Sequence, residues 1–190
     1  MPDIAYHFVG KRLRDGRPVP KDGELLRFDG EPIMCKQGLH ASVDPFDALW
    51  YAPGPILCKV RLGGKIVEGE DKVVATERTI LARVDATDLC RYFARMQALS
   101  AVHLWDVPNI VLDYLMTGDE SIRTAARRAA QTAAWKVAAT QAVAWEAAWA
   151  AAQAASLARD ALRAAARNAA EDTARADFCQ LVDEAFECSA

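Results

Sequence analysis

Glycine and proline are absent from the last part of the chain. Of 190 residues, the ten glycines end at Gly118 and the eight prolines at Pro108. Nothing after Asp119 therefore carries the usual punctuation of turns, which excludes a strand-and-turn architecture there. Long uncharged apolar runs are also missing, so no segment reads as membrane-spanning. Met1-Pro2-Asp3 does not open a signal peptide. The expectation is a cytoplasmic protein of its host cell. Basic blocks and interleaved basic and aromatic residues are lacking, and the net charge is only −3. Sequence-specific nucleic-acid binding is therefore not expected. The five cysteines, Cys35, Cys58, Cys90, Cys179 and Cys188, are odd in number and widely spaced. No pair has zinc or redox spacing, so reduced thiols and no metal are expected.

What is present first is a strand–turn–helix unit, Cys35–Gly54. Gly38 is a turn glycine and Leu39-His40-Ala41-Ser42 reads as a short extended segment. Asp44 suits an N-cap and Pro45 a first helical residue. Phe46, Leu49 and Trp50 would share a side of the helix, which Pro53-Gly54 stops. Such a unit aims His40 at whatever lies above the turn. Around it, Ile4–Val9 reads as a strand, and Pro20–Gly23 as a turn in a polar, turn-rich stretch. Ile56–Leu62 alternates like a half-buried strand, with a turn expected at Gly63-Gly64. Lys72–Ala75 and Thr79–Val84 are further strands. The first half is thus a small mixed sheet.

From Asp85 the pattern becomes helical. Leu89, Phe93, Met96 and Leu99 have helical spacing behind Thr87, and Ile110, Val111, Tyr114 and Leu115 form a second helix stopped by Gly118. About half of Thr124–Ala176 is alanine, the best helix former. A single helix from Asp119 onward would be on the order of 100 Å long at 1.5 Å per residue. A break near Ser156–Asp160 or at Asn168, and a helical hairpin or bundle, is expected. The first arm carries a heptad seam of Trp135, Ala138, Ala142, Trp145, Trp149 and Ala152. The second offers Leu157, Ala161, Leu162 and Ala165, then Phe178, Leu181, Val182 and Phe186. The fold class is therefore α+β: residues 1–85 as the sheet domain and 86–190 as the alanine-rich helical domain.

The order of pieces in residues 4–85 resembles the ADP-ribosyltransferase fold, as in poly(ADP-ribose) polymerase catalytic domains. The matching positions are His7, Gly38-Leu39-His40-Ala41-Ser42, Tyr51, Val60-Arg61-Leu62-Gly63 and Glu77 before Thr79-Ile80-Leu81. The whole chain, tail included, resembles a family of uncharacterised phage and prophage proteins. The transferase resemblance implies that His7, His40 and Glu77 are catalytic. It implies that His7, Gly38 and Tyr51 bind NAD. Glu77 would stabilise the charge that develops as nicotinamide leaves. The chain departs from that pattern at Phe8-Val9, where small residues let NAD approach. It departs again at His40, where a tyrosine stands in the pattern; a histidine there is reminiscent of RNA 2′-phosphotransferases. Arg78, after Glu77, could neutralise that carboxylate.

Two functional readings follow. In the first, a degenerate transferase-like domain without cofactor carries a helical tail that docks on a host protein or complex. Small acidic phage proteins act this way, for example against bacterial defence systems. Trp135, Trp145 and Trp149 would be the partner-binding anchors. In the second, an enzyme moves ADP-ribose from NAD to a macromolecule. A self-assembling homo-oligomer held by the alanine seam is a third.

Overall fold

The structure is a computed structural model and describes residues 3–137, 149, 151 and 172–188. Strand β1 (Ile4–Val9) pairs with β4 (Ile56–Glu68), and β4 pairs along most of its length with β5 (Val73–Asp85). The far edge of β5 takes two short strands at different heights. β2 (Leu25–Arg27) faces Glu77–Thr79, and β3 (Leu39–Ala41) faces Val73–Ala75. Every one of these pairings is antiparallel, so the sheet is not mixed as the sequence suggested. Past the end of β3, Ser42 exchanges two backbone hydrogen bonds with Tyr6 of β1. The sheet therefore curls back towards its own first strand.

β5 is one strand where two were expected, and β4 continues past Gly63-Gly64, where a turn was expected. Gly63-Gly64 does not turn the chain but forms a bulge between Gly63 and Ile66. Gly64 has φ +67°, and a side chain there would meet the Thr76 hydroxyl at 2.1 Å. That hydroxyl accepts from the Lys65 N–H at 2.9 Å, satisfying a donor the bulge removes from the ladder.

Ala5, Val9, Cys58, Val60, Leu62, Val73, Ala75 and Ile80 fill the inner side of the curl. Leu13, from the loop after β1, joins them. Helix α1 (Pro45–Leu49) starts as expected, with Asp44 Oδ1 accepting from Phe46 N–H at 2.7 Å. Its buried residues are Pro45, Phe46, Ala48 and Leu49, whereas Trp50 is exposed.

Four further α-helices are described, α2 (Thr87–Ser100), α3 (Asn109–Thr117), α4 (Arg123–Val137) and α5 (Asp172–Glu187), with a 3-10 turn at Val102–Leu104 between α2 and α3. On α2 the buried residues are Cys90, Phe93, Ala94 and Ala98, so small residues replace the expected Leu89, Met96 and Leu99 at the centre of the contact. α3 ends as read, on Gly118 in the left-handed region at φ 70°. A side chain at 118 would strike the Arg95 guanidinium at 2.7 Å, which itself donates to Leu115 O. The Ala138, Ala142, Trp145 and Ala152 seam positions lie outside the described residues. So do Leu157, Ala161, Leu162 and Ala165, and the expected break near Ser156–Asp160 or Asn168.

The chain forms two compact units. One is Thr87–Ala174; the other joins Met1–Ala86 with Arg175–Ala190. Sequence patterning grouped α5 with the helices, yet its contacts are with the sheet unit. Phe178 packs edge-on against Phe46 with ring centres 6.0 Å apart, and Phe186 lies 6.3 Å from Tyr6. Arg175 donates to Asp44 at 2.6 Å and Asp47 at 2.8 Å, and the Cys179 thiol to Asp44 at 3.3 Å.

Candidate functional site

His40 sits in β3, just after a tight loop. Ile33 and Gln37 close that loop by backbone hydrogen bonds, and Cys35 takes φ 63° at its tip. The Cys35 N–H points back at His40 Nε2 at 3.1 Å. An N–H can only donate, so Nε2 is an acceptor and the proton resides on Nδ1. Nδ1 in turn lies 3.2 Å from Gly38 O. Both ring nitrogens are thus engaged by the backbone of their own loop. Burial lowers the pKa of His40; the Gly38 carbonyl opposes this, and Lys72, Arg14 and Arg78 reinforce it. Gly38 earns its place locally. Its φ is 108°, and a side chain there would meet Val74 Cγ2 at 2.5 Å.

His7 alternates with Ala5 and Val9, whose side chains fill the inner side of the curl. Its strand partner is Cys58. The pKa of His7 lies well below 6.5, first through burial, then through the charges of Arg78 and His40. Phe8, next in the strand, alternates to the other face and is fully buried there. The two histidines and Arg78 are therefore neighbours. Arg78 Nη1 donates to the His40 carbonyl at 2.6 Å.

Tyr51 lies just beyond α1 and is 48% exposed. Its hydroxyl donates to Asp71 and accepts from Lys72 Nζ at 2.8 Å, and the same ammonium stands 4.2 Å over the ring. Lys72 links it to His40, whose pKa feels that charge. Tyr51 and His40 thus share a neighbourhood, but a cation already covers the tyrosine ring.

Glu77 is separated from this group. It pairs with Arg27 at 3.2 Å, its direct partner in β2. With Arg27, Phe28, Asp29 and Thr76 it lines a shallow depression of about 300 Å³. Arg78 follows it in the strand, and successive side chains point to opposite faces. The structure brings together His7, His40, Gly38 and, through Lys72, Tyr51. It leaves Glu77 on the Arg27 side.

Sequence reasoning noted Arg78 only as a neighbour of Glu77. The missed signal was phase: Arg78 is two residues from Ile80, an inner-face residue of the same strand. The structure buries it to 5% exposure. Among the described residues no group of three His, Cys, Asp or Glu could hold a metal, and no helix is long and apolar enough to cross a membrane.

Of the three tryptophans, Trp145 lies outside the described residues and Trp149 is half-buried. Trp135 is 72% exposed, whereas Ala126, Ala130 and Ala134 on the same helix are buried.

Residues 4–92 match the model of a domain of unknown function, DUF7666. The match spans all five strands, α1 and the first residues of α2, and leaves α4 and α5 outside it. No curated protein and no solved structure matches the chain. The DUF7666 stretch thus contains the whole histidine–arginine neighbourhood and the exposed Trp50, while Trp135 lies beyond it.

Proposed function

We propose that this chain is a phage-type protein-binding module that docks on a host protein or complex in the cytoplasm and modulates or inhibits it. The transferase-like sheet serves as scaffold, and α4 carries the docking face. The observation that carries this reading is Trp135. A tryptophan is among the largest apolar side chains, and burying one at an interface is a common source of binding energy. Here it stands 72% exposed on a helix whose inner face is alanine. Arg127 and Arg128 are also exposed, and neither is ion-paired among the described residues. An exposed indole with two exposed guanidinium groups two turns earlier on the same helix fits an acidic partner surface with an apolar pocket.

The alternative, transfer of ADP-ribose from NAD, has less support. His40 has no ring nitrogen left for substrate, Lys72 covers Tyr51, and Glu77 is paired on another part of the sheet.

Capture from host lysate, followed by titration of the purified captured protein, tests the proposal. Trp135→Ala should weaken binding at least tenfold, which corresponds to about 1.4 kcal/mol. Its melting temperature should not change, because the indole is exposed. Arg127→Glu with Arg128→Glu should weaken binding further, and rising salt should mimic that effect. Equal affinity for all variants would overturn the reading. So would labelled ADP-ribose transfer that Glu77→Gln abolishes, or Trp135-dependent self-association in place of a partner.

A further inference from the structure

Arg78 is a charged side chain placed inside a curled sheet with almost nothing to balance it. It is 5% exposed. Among the described residues its one hydrogen-bond acceptor is the His40 carbonyl. A guanidinium carries five N–H donors, so most of them have no acceptor among the described residues. Glu77, its neighbour in sequence, pairs with Arg27. Asp15, which also bears on it, is bonded to Arg17 at 2.8 Å. Burial lowers the pKa of Arg78 to about 10; Arg17 adds to this, and Cys58 and Asp15 oppose it.

Leaving a buried charge uncompensated is costly, and proteins rarely do so without a partner. Asp22 is bonded to Arg83 and Asp71 lies beside Lys72. The charges of Arg14 and Lys72 both act on His40, and Arg14 has no ion pair among the described residues. The two histidines and the Cys58 thiol, pushed up to about 11 mainly by burial, are neutral at pH 7 and add no negative charge. Among the described residues, none of the Arg78 nitrogens is both sealed from solvent and without a hydrogen-bond partner. The free edge of the guanidinium therefore keeps a small contact with solvent. The loop that carries Arg14 and Arg17 is anchored there by Leu13 in the inner core.

We propose that Arg78 anchors a binding site for a phosphate group on the inner side of the curled sheet, with Arg14 at its mouth. A tetrahedral oxyanion supplies acceptors for the guanidinium fork and the negative charge this region lacks. The site is independent of the α4 docking face, and either can fail without the other.

Thermal unfolding of the full chain in inorganic phosphate, against chloride at matched ionic strength, is the test. A ligand that binds only the folded state raises the melting temperature, by on the order of 5 °C once well above its dissociation constant. Arg78→Met should be at least as stable as wild type in chloride and should not respond to phosphate. Arg78→Lys keeps the charge but loses the fork, and should respond more weakly. It also serves as the readout if the methionine variant does not fold. Adenosine monophosphate distinguishes the source. An equal Arg78-dependent shift at tenfold lower concentration assigns the group to a nucleotide, and no such gain assigns it to free phosphate. No phosphate-specific shift in the wild type, or an undiminished shift in both variants, would overturn the proposal.

Discussion

At the scale of single residues, the two sheet histidines are held neutral. The structure engages both nitrogens of His40 with backbone groups and holds His7 half-buried beside Arg78. Both pKa values are lowered from 6.5. In the unfolded chain they return to that value, so below it the unfolded state binds more protons than the folded one. The stability they contribute is complete above pH 6.5 and is lost as pH falls from there towards the folded values. Urea midpoints measured from pH 7.5 to 5 should therefore decline, and His7→Gln should flatten the decline. A midpoint that rises on acidification would contradict this. The positions of His7 and His40 in strands were legible from alternation and turn residues. The lock on His40 was not, because it depends on where the Cys35 N–H points once the loop closes. Arg78 was legible only through its phase with Ile80, a weak cue, since an arginine normally reads as a solvent-facing position.

At the scale of elements, α5 is attached to the sheet unit by both charge and packing. Arg175 bridges Asp44 and Asp47 and lies 4.9 Å from the Phe46 ring, while Phe178 and Val182 are fully buried. The bridge is partly exposed, with the arginine side chain at 40%, so screening reduces its worth. Arg175→Ala should cost about 1–2 kcal/mol. Phe178→Ala removes a buried ring and should cost about 3–5 kcal/mol. Denaturant titration with equal slopes checks both, and equal costs for the two would mean that the bridge rather than the packing holds the helix. The apolar spacing of Phe178, Val182 and Phe186 was readable, and these residues are buried. Their destination was not readable, because an apolar helix face does not name the surface it covers. Gly63-Gly64 misled for a similar reason. A glycine pair serves a turn or a bulge equally well, and only Thr76, thirteen residues on, decides between them.

At the scale of the whole molecule, the chain couples a DUF7666 stretch to an alanine-rich helical part that presents an indole to solvent. The α+β class was legible from the switch in periodicity at Asp85. The return of the C-terminal helix to the sheet unit was not, because contacts at that separation leave no periodic trace in sequence. If α4 is the docking face, position 135 must lie against the partner in the bound state. A photo-crosslinking residue placed at 135 tests this in host lysate, with the same residue at exposed Leu81 on β5 as control. The account predicts one discrete protein adduct from position 135 and none from position 81. Adducts from position 81 alone, or none from position 135, would contradict it.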